Sequence, residues 1–122
     1  MERVCFLHKV KQSRIIFDVI RQELNIEDIL IKNNPYNPIK SKCIVIMENK
    51  NTQVLAASTI YDGMLHFTLD VYKRGYRVKR IPMFGYCGQV NYNFTRKCRE
   101  DFEKDCASEF WKAYDKLPIY LK

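Results

Sequence analysis

Between Tyr72 and Ile81 the chain reads YKRGYRVKRI, in which Lys73, Arg74, Arg77, Lys79 and Arg80 are interleaved with Tyr72 and Tyr76. The same mixture continues through Phe84, Tyr86, Tyr92 and Phe94 to Arg96, Lys97 and Arg99, and no acid interrupts it from Val71 to Arg99. Guanidinium and ammonium groups attract phosphate, and aromatic faces stack on unpaired bases at about 1–3 kcal/mol each, so the pattern suits RNA or single-stranded DNA. Lys73, Arg74, Arg77, Lys79 and Arg80 would supply the charge, while Tyr72, Tyr76 and Tyr86 would stack. Arg96, Lys97 and Arg99 fall in the first turn expected for the last helix, where the macrodipole already disfavours cations. They are therefore read as a second phosphate contact, framed by the GYCGQ segment at 85–89.

Each of these residues also has an ordinary structural account. Tyr72 with Arg77 and Asp70 with Lys79 would be cross-strand partners in a hairpin. Glu100, Asp101, Glu103 and Asp105 lie at helical spacing from the RKCR run and could pair with it. Against a purely solvating role stands the concentration of charge. Residues 1–62 carry nine bases and seven acids, residues 63–99 eight and one, and residues 100–122 four and six, so one segment holds an excess equal to the whole net charge of +7. A surface built only for solubility mixes signs.

Other chemistries find less support. The five cysteines, Cys5, Cys43, Cys87, Cys98 and Cys106, form no CxxC pair, and with only His8 and His66 available no metal-ligand spacing arises. They read as reduced, mostly core residues, and no cofactor is expected. His66 faces Thr59 across a hairpin with Thr68 and Asp70 further along, a layout in which a general acid or base beside Tyr72, Arg77 and Lys79 could act on a phosphodiester. A small basic sheet bearing His, Tyr, Arg and Lys is similar in layout to the bacterial messenger-RNA interferase toxins. A helical N-terminal half followed by antiparallel strands and the basic glycine turn Lys73, Arg74, Gly75, Tyr76, Arg77, Val78 resembles the acyltransferases that use acetyl-coenzyme A. That family's pyrophosphate loop follows (Q/R)xxGx(G/A) and leads into a helix; here the spacing and the last small residue are missing, and IPMFG reads as strand and turn.

The elements that must position these residues follow from hydrophobic period. The opening RVCFLHKV, residues 3–10, alternates as a short strand. Ser13 can cap a helix whose Ile16, Val19, Ile20 and Leu24 recur at helical steps, and a short helical turn through IEDILIK ends at NNPYNP. From Lys42 the period is that of strands. CIVIM, VLAASTIY, MLHFTLDVY and YRVKRIPMF are separated by ENKNTQ, Asp62-Gly63 and Lys73-Arg74-Gly75. Two-residue loops at Asp62-Gly63 and Arg74-Gly75 set Tyr61 against Met64, Thr59 against His66, Tyr72 against Arg77, Val71 against Val78 and Asp70 against Lys79. Val45, Met47 and Val78 then face the helices with Val54, Ala56, Phe67, Leu69 and Val71. Ile44, Ile46 and Leu55 fall on the other face with Asp70, Tyr72, Arg77 and Lys79. Finally, Cys98, Phe102, Cys106, Phe110, Ala113 and Leu117 make the stripe of a long helix capped by Thr95 and stopped by Pro118.

The expected fold is a single α+β domain over residues 1–122. Its four- or five-stranded, mainly antiparallel sheet, a meander over 42–86, is packed on one face by an N-terminal helix and a long C-terminal helix. Hydrophobic residues at 47% and charged residues at 29% are those of a globular chain, and no apolar run spans a membrane. MERVCFLHKVKQSR lacks the apolar core of a secretory signal, so an intracellular protein is expected. Abundant Ile, Asn, Lys and Tyr fits an AT-rich coding sequence such as that of a virus or phage. The expected function is a small nucleic-acid-binding regulatory protein, with no enzymatic reaction indicated. The alternative is an inhibitor or adaptor docking on an acidic protein, with the apolar end at Ile44, Ile46 and Leu55 serving a partner or a dimer.

Overall fold

The computed structural model describes residues 9–118 and Leu121. The element order is α1 (Lys9–Leu24), β1 (Lys32–Asn33), β2 (Ser41–Glu48), β3 (Thr52–Tyr61), β4 (Met64–Lys73), β5 (Tyr76–Pro82), α2 (Tyr92–Thr95) and α3 (Arg99–Tyr114). The strands form one antiparallel meander in the order β1-β2-β3-β4-β5, and the chain has the expected α+β fold. No helix among the described residues is long and apolar enough to cross a membrane.

The opening strand expected at 3–10 lies mostly outside the described residues. Its last two positions, Lys9 and Val10, are helical. α1 therefore starts before Ser13, and the Ser13 hydroxyl, no longer a cap, donates instead to Ser58 Oγ at 2.7 Å. Ile15, Ile16, Phe17, Val19 and Ile20 turn inward. IEDILIK forms no second helix. Asn25 ends α1 with φ of 56°, and the Arg21 guanidinium donates to the Ile29 carbonyl, so that the segment folds back as turns.

The C-terminal stripe holds from Phe102 through Cys106, Phe110 and Ala113 to Leu117, all buried against α1 and the sheet. Its start differs from expectation. Thr95 closes the separate one-turn α2, which Asn91 caps by accepting from the Asn93 amide, and Cys98 occupies the α3 N-cap without a side-chain bond. Cys98 itself is exposed.

Register follows the β3–β4 turn as expected, with Tyr61, Ile60, Thr59 and Ser58 opposite Met64, Leu65, His66 and Phe67. Two bulges change the neighbouring strands. Ile44 lies opposite Ala56 and Val45 opposite Leu55, then a shift at Ile46 brings Met47 opposite Val54. Directly opposed residues share a face, so Ile44 is core beneath the helices, while Val45 joins Cys43, Leu55, Ala57 and Tyr72 on the far face. The apolar surface expected at Ile44 and Ile46 is thus spent in the core. In the last hairpin Tyr72 faces Arg77 as expected, but Val71 faces Lys79 and Asp70 faces Arg80. Val78 is the extra residue and points to solvent instead of into the core.

Candidate functional site

Both turns of the β4 hairpins are tight, and both use left-handed backbone. Asp62 and Gly63 have φ of 50° and 72°, Arg74 and Gly75 of 53° and 84°. Such turns match the twist of the strands they join and favour Asn, Asp or Gly at the first position. Asp62 satisfies that preference, whereas Arg74 does not.

Arg74 also ties two turns together. Its amide donates to the Asn51 carbonyl at 2.9 Å, which brings the β2–β3 turn, with Lys50, beside the β4–β5 turn. A shallow groove of about 270 Å³ opens there, lined by Tyr36, Asn51, Gln53, Tyr72, Arg74 and Gly75 among others. Tyr36, from the loop between β1 and β2, forms one wall. Asn34 is buried, donates to Ser41 Oγ and accepts from the Tyr36 amide, which fixes the turn that NNPYNP begins. Tyr36 then lies flat on Tyr72, with ring centroids 3.6 Å apart and planes 7° from parallel. Its hydroxyl bonds Gln53 Oε1 at 3.0 Å.

The candidate residues divide sharply. Lys73, Arg74, Tyr76 and Arg77 are exposed together at the hairpin, Tyr76 at 77%. Arg74 and Arg77 form no ion pair among the described residues. Tyr72, expected to stack on a base, is buried and has one face covered by Tyr36. Burial first, and the Asp70 charge second, raise its phenol above the ordinary value.

Arg80, expected to supply charge to a phosphate, is bound in a two-pronged ion pair: Nε to Asp70 Oδ1 and the terminal nitrogen to Oδ2, both 2.8 Å. Asp70 is 0% exposed, and its hydrogen bond holds the guanidinium above its usual pKa. Lys79, opposite Val71 and exposed, donates to the Lys116 carbonyl just past α3, a favourable place for a cation.

The second cluster is largely neutralised. Lys97 bonds Asp105 at 2.6 Å, Arg99 bonds Glu103 at 3.0 Å, and Arg96 lies 5.4 Å over the Tyr92 ring. The hydrogen bond to Asp105 raises the Lys97 pKa. Phe84 packs edge-on against Phe94 before α3 begins, while Lys79 meets Lys116 after it ends, so α3 runs back along β5. Sixteen residues of helix span roughly 24 Å, and the RKCR run and the Arg74 turn therefore sit at opposite ends of the molecule. Tyr86 is 98% exposed but belongs to the far end as well, since Gly88 beside it pairs with Phe67.

His66 Nδ1 lies 3.1 Å from the Cys87 carbonyl, which gives it a structural partner in the 83–90 segment. No group of three metal-ligating side chains occurs among the described residues. The stretch after Gly75 is β5, so a pyrophosphate loop leading into a helix is not formed there.

Tyr36, Lys50, Asn51 and Gln53 carry no signature of the groove in the sequence, because Tyr36 comes from a loop distant in the chain and the others become its neighbours only when β3 pairs with β4. The doubled Asn-Pro around Tyr36 was the available signal. Comparison with family models, curated proteins and solved structures gave no significant match.

Proposed function

We propose that the protein binds single-stranded nucleic acid at the end of the sheet where the β2–β3 and β4–β5 turns meet. The observation that carries this reading is Arg74 at φ of 53° in a turn that Asp62-Gly63 builds conventionally one hairpin earlier. An L-residue with a full side chain costs roughly 1–2 kcal/mol in that conformation, so a cation is being kept where Asn would be better for folding. Arg74, Arg77 and Lys50 supply phosphate contacts. The outer face of Tyr36, 38% exposed and backed rigidly by Tyr72, is the base platform.

Fluorescence anisotropy with short single-stranded RNA and DNA tests it across a salt series. Arg74→Asn should weaken binding severalfold and flatten the salt slope by about 0.7. The same substitution should raise the melting temperature by relieving the turn, worth about 0.5–1 kcal/mol. A variant that is more stable but binds equally well, or a wild-type chain that binds neither polymer at low salt, would overturn the proposal.

A second reading rests on β5, an edge strand among the described residues, with Tyr76 through Arg80 exposed. An acidic strand of a partner protein could add to that edge. Mass analysis of material that copurifies, with and without nuclease, separates the two.

A further inference from the structure

At the other end of the sheet, a cleft of about 500 Å³ opens between α1 and the loop leading into β2. Its lining is apolar within and cationic at the rim. Ile31, Ile39 and Ile60 contribute aliphatic surface, with Phe17 and Leu65 buried behind them. Ile39 is 92% exposed and leaves hydrocarbon facing water. Lys9, Arg14, Lys40 and Lys42 surround this surface, and no acidic side chain lines it among the described residues.

Two of the four cations are occupied. Lys9 donates to the Gly63 carbonyl, fastening the start of α1 to the β3–β4 turn, and Lys42 donates to Asn33 Oδ1 at 2.5 Å. Arg14 and Lys40 form no side-chain hydrogen bond or ion pair among the described residues. The cleft falls in the roughly 300–1,000 Å³ range of small-molecule sites, and its walls carry no aromatic side chain but Phe17. A nucleobase would find no exposed stacking partner, whereas an aliphatic chain would fit the walls and an anion the rim.

We propose that this cleft binds a single-chain aliphatic carboxylate, with the chain on Ile31, Ile39 and Ile60 and the headgroup on Arg14 and Lys40. The site shares its loop with the nucleic-acid interface, since Tyr36 lies three residues before Ile39, but it is remote from the Arg74 turn. It adjoins Tyr61 and Met64, while Arg74 adjoins Thr52, and the length of β3 sets these ends roughly 30 Å apart.

Isothermal titration of the full chain with laurate, below micelle-forming concentrations, is the test. One laurate per chain is expected, bound at least tenfold more tightly than dodecyltrimethylammonium of the same chain length. Decanoate, two methylenes shorter, should bind about fifteenfold more weakly. The double variant Arg14→Gln, Lys40→Gln should lose tenfold or more in laurate affinity with an unchanged melting temperature, and Arg74→Asn should bind laurate as wild type does. Absence of laurate binding, equal binding of the cationic amphiphile, no dependence on chain length, or undiminished binding by the double variant each overturns the proposal. The ligand comparisons use the wild-type chain, so a variant that fails to fold leaves them decisive.

Discussion

Arg80 faces Asp70 only because Val78 is an extra residue in β5, and that one insertion converts a candidate phosphate contact into part of the fold. The two partners are not equivalent. Asp70 is fully buried while the Arg80 side chain remains 43% exposed. Arg80→Ala would leave an unpaired carboxylate in the interior and should lower the unfolding free energy by about 3–5 kcal/mol. Asp70→Asn leaves a guanidinium that can turn to water, so its loss should be smaller, about 1–3 kcal/mol. Denaturant unfolding of both variants checks this order; equal losses would mean that the pair is solvated. Because Arg80 is engaged in this way, its removal should lower stability, whereas Arg74→Asn should raise it.

The segment 83–90 approaches β4 most closely at Gly88. Phe67 donates to the Gly88 carbonyl at 2.8 Å, and Val90 donates to the Leu65 carbonyl at 2.8 Å, so the segment continues the sheet beside β4 where β5 has ended. Gly88 has φ of 80°, and a Cβ there would stand 2.7 Å from the Phe67 carbonyl oxygen. Gly75 is also left-handed, with φ of 84°, but faces open space. Gly88→Ala should therefore cost more than Gly75→Ala: roughly 3 kcal/mol, from contact plus backbone strain, against about 1. Thermal melts of the two variants would show the difference, and amide exchange at Phe67 should accelerate only in the first. The hydrophobic stripes and the Asp62-Gly63 turn made α1, α3 and the central hairpin legible in the sequence, because burial and backbone preference act locally there. The bulges at Ile46 and Val78 were not legible, since alternation along a strand carries no mark of an inserted residue until its partner strand is placed.

Across the whole molecule the buried thiols set an alkaline limit. Burial is the main cause that pushes Cys43 and Cys106 above the ordinary thiol value of 9.0. Below that value both folded and unfolded thiols keep their protons and stability is unaffected. Above it the unfolded thiols ionise while the folded ones do not, the unfolded state binds fewer protons, and stability falls as pH rises toward the raised folded values. Melting temperature should therefore decline above about pH 9, and more gently in a Cys43→Ala, Cys106→Ala variant. An identical decline in that variant would assign the effect to other groups, the buried Tyr72 first. The same burial explains where sequence and structure part company. The sequence alone determined the class of fold, its helix stripes, its turns and the concentration of charge between residues 63 and 99, all of which depend on residue type and spacing along the chain. Only the tertiary structure decided the long-range partners: Asp70 and the Lys116 carbonyl engage Arg80 and Lys79 and Tyr36 covers Tyr72, while Asp105 and Glu103, already near Lys97 and Arg99 in the sequence, pair with them. The long-range partners are set by strand register and helix direction, and the YKRGYRVKRI segment accordingly reduces to an exposed group around Arg74 and Arg77.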